Sequence, residues 1–322
     1  MTSPESPAGA RRRVRLAVRE AREANGLTQG QVAEAMEWSQ SKVIRIESGE
    51  VTISPNDLRP LLAYLGIVDK ATVDRLVRDS RSSRQRRMWW DEPQVREHLT
   101  EASRQLIQYE VEATEIRYFT NIVIPGALQT EDYSTTVLGL HLGQLTDEDV
   151  EVRLGTRRHR RAQLLGRRDF PRIYLLLEES VLARRIGGKA DVTAAQLQHL
   201  LDLARQKPIW IRVLPYAANA PVPAMGPFDI LSLPGEGANA VLYRESHLGD
   251  EIVDDARNVQ RHREGFETWW DAALDENASA ALIEKAIKEL NPAGMPPESE
   301  ISQRAGSGTA AAGPTRARRS RR

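Results

Sequence analysis

The chain has 322 residues, no cysteine and a formal net charge of zero at pH 7. The lack of cysteine excludes disulfides, thiolate metal sites and cysteine nucleophiles, and no apolar run approaches the roughly 18 residues of a membrane span. A chain this long predicts about two domains, because a single core saturates near roughly 250 residues.

Met1 is not followed by an apolar stretch, so no signal peptide is expected, and a cytoplasmic location is. The net charge of zero hides an asymmetry. Residues 1–90 carry 16 Lys and Arg against 11 Asp and Glu, residues 91–290 carry 23 against 32, and residues 291–322 carry 6 against 2. A basic N-terminal region before a larger acidic one is the pattern of a DNA-binding head on a body that does not bind DNA.

Residues 1–10 are rich in Pro, Ser and Ala and read as a disordered leader. Residues 11–80 read as an all-α domain of short helices. Val14, Leu16, Val18, Ala21 and Ala24 lie along the first helix, which Asn25-Gly26 ends. Thr28 caps the next helix, with Gln31 at the capping-box position. Val32, Ala33 and Met36 face inward, and Ala33 is small enough for two helices to cross closely. Ser39 caps a further helix, in which Val43 and Ile46 point to the core. Gln40, Ser41, Ile44, Arg45 and Ser48 therefore point outward, and Gly49 terminates the helix. That outward face is short, polar and able to donate and accept hydrogen bonds, as a helix laid in the major groove must be.

Residues 81–94, a polar run followed by Trp89 and Trp90, read as a hinge. From Val95, the residues Leu99, Ala102, Leu106, Tyr109, Ala113 and Ile116 continue a heptad-like stripe on a helix of about 22 residues. The stripe fits either a dimer seam or burial within its own domain. Thr130–Leu140 reads as a helix. Another begins at Thr146 with Asp147, Glu148 and Asp149 at its positive end, and it carries Arg153, Arg157, Arg158, Arg160 and Arg161. That arginine cluster suits DNA, a nucleotide, an acidic partner or a solvated face.

Four β-rich runs follow: Ile173–Leu177, Ile209–Leu214, Phe228–Leu233 and Ala240–Tyr243. An amphipathic helix, Thr193–Gln206, separates the first two, and Pro234-Gly235-Glu236-Gly237 forms a hairpin loop between the last two. Helices over 250–273 and 278–290 close the domain. The expected body is thus a mixed α+β domain over residues 95–290 with a small sheet of about four strands. Residues 291–322 read as a disordered basic tail, with five arginines in Arg316–Arg322.

No catalytic constellation emerges. Glu178 and Glu179 end a strand but are adjacent, so they point to opposite faces. The six histidines lack metal-ligand spacing, and Gly187-Gly188-Lys189 lacks the rest of a phosphate loop. No enzyme activity, cofactor or metal is expected.

The segment GLTQGQVAEAMEWSQSKVIRIESG, residues 26–49, resembles the lambda-repressor-like helix-turn-helix of the xenobiotic-response-element class, a likeness extending over residues 14–70. Gln40, Ser41 and Arg45 match its base-edge readers, Gln29, Ser39 and Lys42 its phosphate or positioning contacts, and Glu47 a structural acid. Three positions depart from the pattern. Glu37 replaces the usual turn glycine, Ile44 sits at an outward position usually polar, and Pro60 falls within the fourth helix, tolerable if that helix starts near Asp57.

Further along, Glu115–Tyr133 (EIRYFTNIVIPGALQTEDY), Leu177–Gly188 (LEESVLARRIGG) and Ile211–Pro215 (IRVLP) resemble the actinobacterial WhiJ-like, antitoxin-like regulators. Where members often carry Arg-Gln after the first arginine-rich turn, this chain has Arg157-Arg158-His159-Arg160. The resemblance implies a homodimeric, sequence-specific regulator of double-stranded DNA whose C-terminal domain binds a protein partner or ligand. Relatives often act with a small acidic protein, which implies such a partner here. An antitoxin-like role, sequestering a small partner protein, is the alternative.

Overall fold

The computed structural model describes residues 6–84, 88–140, 145–235, 239–246 and 249–291. The head comprises α1 (Pro7–Ala24), α2 (Gln29–Ala35), α3 (Gln40–Ser48), α4 (Pro55–Tyr64) and α5 (Lys70–Ser82). Each helix starts at a side-chain cap: Ser6, Thr28, Ser39, Ser54 and Asp69 each accept from a backbone N–H of the first turn. The helices close on a core of Val14, Val18, Val32, Val43, Ile46, Leu58, Leu61, Leu62 and Leu76.

Two expectations for this region are corrected. Residues 6–10 are not part of a disordered leader. Ser6–Ala10 are buried, with the Ser6 hydroxyl accepting from the Gly9 amide at 3.0 Å and Pro7 opening α1. The small residues that read as disorder permit close approach instead: a Cβ on Gly9 would collide with the Glu112 carboxylate. Second, α4 starts at Pro55, so Pro60 lies inside the helix rather than in its first turn. Both Pro60 and Asn56, whose carbonyl loses its helical partner, are exposed, so water can satisfy that carbonyl.

The body contains α6 (Pro93–Arg96), α7 (Glu101–Glu112), β1 (Glu115–Thr120), α8 (Glu131–Gly139), α9 (Asp147–Leu165), β2 (Arg172–Glu178), α10 (Ser180–Ala183) and α11 (Ala190–Gln206). It continues with β3 (Ile209–Leu214), β4 (Phe228–Ser232), β5 (Ala240–Ser246), β6 (Gly249–Val253), α12 (Ala256–Ala272) and α13 (Glu276–Leu290). One sheet has the order β3-β2-β1-β4-β5-β6. The pairs β1–β2 and β2–β3 are parallel, and the others are antiparallel.

The sheet therefore has six strands, not about four. β1 lay hidden at the end of the heptad-like stripe. The stripe is interrupted: Thr100 caps α7, and Ala113 leaves the helix in an extended conformation, so Ile116 belongs to a strand. Leu106, Tyr109, Ala113 and Ile116 are all buried in the body's own core, which is the burial reading rather than the seam. β6 fell within the expected closing helix, which starts only at Ala256, behind an Asp255 cap.

Helices cover both faces of the sheet. Ile116, Tyr118, Ile173, Leu175 and Leu177 pack towards Leu197, Leu200 and Ile283. Phe119, Leu176, Phe228, Ile230 and Leu242 pack on the other side towards Val259, Phe266 and Trp269 of α12. Alternation along each strand assigns these faces. No described helix is long and apolar enough to cross a membrane.

The arginines of α9 mostly turn inward. Arg160 binds Glu110 of α7 through two bonds of 2.9 and 2.7 Å, while Arg157 and Arg161 bond Gln129 at 2.9 and 2.7 Å. Arg158 remains exposed, 3.2 Å from Glu131. The expected hinge begins within α5, passes through a 3₁₀ turn, Trp89–Asp91, where Trp90 packs on Ile107 and Val111, and ends within α6. Its residues 85–87 lie outside the described residues, as do the hairpin residues 236–238 and the Arg316–Arg322 tail.

The basic run of α1 joins head to body. Arg13 bridges Asp79 of α5, at 2.8 Å, and Glu112 of α7, at 3.1 Å. Arg12 and Arg15 both pair with Asp254, ahead of α12, and Arg12 also donates to the Ala240 carbonyl at 3.1 Å. Burial draws both Arg12 and Arg15 below the usual guanidinium range.

Candidate nucleic-acid interface

The site is built on α2, a turn and α3. Thr28 and Gln31 form the capping box that starts α2. The chain then reverses at Glu37, which takes the left-handed conformation at φ 54°, the one described non-glycine residue to do so. The Trp38 amide closes the turn on the Ala33 carbonyl at 2.8 Å, and Ala33 is buried where the helices approach. Ser39 caps α3, accepting from the Lys42 amide at 3.3 Å, and Gly49 ends it at φ 82°.

α3 is anchored on one side and open on the other. Val43, Ile46 and Glu47 are buried, while Gln40, Ser41, Ile44, Arg45 and Ser48 are exposed. No described residue bonds the side chain of Gln40 or Arg45. Ser41 shares a 3.1 Å contact with the Ser39 hydroxyl. Ile44, 42% exposed, contributes an apolar spot to this face.

Glu47 holds the scaffold together. Its carboxylate accepts from Arg22 of α1 at 2.7 and 3.0 Å and from the Gln29 amide of α2 at 2.9 Å. These bonds raise the Arg22 guanidinium above its ordinary range. Arg22 also reaches the Leu27 carbonyl at 2.9 Å, so a single acid fixes three helices. Arg22 carried no local signal in the sequence: its partner lies 25 residues away.

The six residues singled out from the sequence thus fall into two groups. Gln40, Ser41 and Arg45 share the open face. Gln29 and Lys42 are held within the head, Gln29 by Glu47 and Lys42 by Asp57 at 3.2 Å, with its ammonium 3.8 Å from the Trp38 ring centroid. Ser39 has a capping role. Elsewhere, Glu178 accepts from the Ser180 hydroxyl at 3.2 Å and Glu179 from the Tyr216 amide at 2.8 Å.

The open face supplies the guanidinium fork and carboxamide that recognise purine edges bidentately. Fold and site together define a helix-turn-helix head, the architecture of DNA-binding regulators, on an α+β body. A helix-turn-helix domain model matches residues 14–76. The model described as Domain of unknown function (DUF5753) matches residues 103–285, more than half of the chain, and the chain belongs to that family. No curated protein and no solved structure matches significantly.

Proposed function

We propose that the chain is a sequence-specific transcription regulator of the xenobiotic-response-element class that reads duplex DNA with α3. The observation that carries this is the asymmetry of α3: one side is locked by Val43, Ile46 and the Glu47 network, while Gln40 and Arg45 stay open and unclaimed beside an exposed Ser41 whose hydroxyl meets that of Ser39. An α-helix with its side chains is about 10–12 Å across, which a major groove about 12 Å wide admits. Arg45 reads a guanine and Gln40 an adenine. Ser39, Gln29 and Lys42 set the register against phosphates. The head works as a homodimer on a near-palindromic site, and the body regulates rather than catalyses, through a protein partner or ligand.

The test is genome-wide mapping of bound fragments, followed by a salt titration on the strongest. A single enriched, near-palindromic motif is the expected result. Binding without sequence preference, at every salt concentration, would sink the proposal.

A further inference from the structure

A cleft of about 790 Å³ opens between head and body, within the roughly 300–1,000 Å³ of small-molecule sites. Its head wall is formed by residues 48–52, the end of α3 and the turn after it, together with Arg11 of α1. Its body wall includes Arg96 of α6 and Arg104 of α7, and Arg84, just past α5, borders it.

The charges of this cleft are unevenly matched. Arg12, Arg13, Arg15 and Arg22 all find carboxylates. Arg11, Arg84 and Arg96 enter no ion pair among the described residues. Arg11 makes one long bond, 3.5 Å to the Gly49 carbonyl, and its buried Nε has no acceptor. The Nε of Arg104 is likewise buried and unmatched. On the acidic side, Glu101 is occupied by Arg104 and Gln105, and Asp91 is engaged within the chain. Glu50 holds only the Ser48 hydroxyl, at 3.2 Å. Three unpaired guanidinium groups therefore confront one unpaired carboxylate. Buried donors without acceptors are unfavourable until something supplies oxygen, and a guanidinium matches the two oxygens of a phosphate or carboxylate.

We propose that this cleft binds a small molecule with at least two anionic groups, phosphate or carboxylate, and that its occupant regulates the head. An anion bridging Arg11 and Arg96 joins the end of α3 to the body. By linkage, it changes operator affinity by the same factor as operator changes its own affinity. The regulatory half of this inference rests on α3 being the DNA-reading helix; the binding half does not.

The experiment is calorimetric titration of the full chain at low salt with inorganic pyrophosphate and, separately, with citrate. Operator affinity is then measured with and without the anion. One of the two is expected to bind with a Kd of about 1 mM or lower. Pyrophosphate alone would define a phosphate site and citrate alone a carboxylate site. The double variant Arg84→Ala, Arg96→Ala, at two exposed positions, should weaken binding roughly tenfold or more without shifting the thermal melt. Arg45→Ala should leave anion binding unchanged. The proposal is overturned if neither probe binds by about 10 mM, if the double variant binds as tightly as the parent, or if Arg45→Ala abolishes binding. Unchanged operator affinity at a filled cleft would also overturn it. Failure to bind any DNA site would instead defeat the regulator reading, and the calorimetry alone would then decide whether the cleft binds anions.

Discussion

Two helices of this molecule, α9 and α3, use arginine in opposite ways. α9 carries five arginines, of which Arg157, Arg160 and Arg161 are committed to Glu110 and Gln129 inside the body. α3 carries one, Arg45, on an open face. Guanidinium density is therefore a poor guide to where this chain meets an outside partner. The better guide is whether the fold has already supplied an acceptor.

The sharpest way to break the comparison is to empty the α9 pair. Arg160→Ala leaves Glu110, 5% exposed at its side chain, as an uncompensated buried charge. It should destabilise the body by about 3–5 kcal/mol in urea unfolding, whereas a loss below about 1 kcal/mol would mean the pair is solvated after all. Next in size is Glu47→Ala, which leaves Arg22 and Gln29 without their shared acceptor. We expect a loss of about 2–3 kcal/mol, read in the melting of the head.

Arg45→Ala tests the open side. It should leave the melt unchanged and remove about 1–3 kcal/mol of discrimination at one base pair in competition binding. If the variant selected its site as well as the parent, Arg45 would not be a base reader.

A pH test separates the inward chemistry further. Tyr118, Asp229 and Tyr243 stand in one row across β1, β4 and β5. Low-dielectric surroundings, aided by repulsion from Glu110 and only partly offset by Arg160, push the Asp229 carboxyl well above its ordinary range. With the folded value above the unfolded value of about 3.9, folding is favoured while both states keep the proton and loses ground as pH rises past about 4. Asp229→Asn should therefore match the parent below about pH 4 and exceed its stability at neutral pH. Equal stabilities throughout would show that Asp229 ionises freely. The smallest effect is expected at Glu37, where Glu37→Gly should gain about 0.5–1 kcal/mol by relieving the left-handed turn.

What could be read from the sequence followed the range of the interactions involved. Thr28, Ser39 and Gly49 act within one helical turn, so the limits and outward face of α3 were plain from spacing. Glu37 stood out as the wrong residue for a left-handed turn, and φ 54° is what the chain adopts there. Long-range partners were not visible. Nothing near Arg22 pointed to Glu47, and nothing near Arg160 pointed to Glu110. β1 was obscured because Ala113 and Ile116 extend a helical spacing across a real helix end. β6 is a short edge strand that pairs with β5 alone among the described strands, and GDEIV shows little alternation. Pro7-Ala8-Gly9-Ala10 has the composition of disorder but the size required at a tight crossing.

α1 belongs to two cores at once. Ala8 is counted in the body's apolar core, and Val14 and Val18, up to about 15 Å further along the same helix, in that of the head. Its arginines are matched by Glu112 and Asp254 of the body. The part of this protein that can be exchanged between relatives is consequently not the matched helix-turn-helix segment alone. A chimera that grafts a foreign head at residue 11 inherits unmatched carboxylates. One that carries α1 together with Glu112 and Asp254 transplants the helix-turn-helix head with its mounting intact.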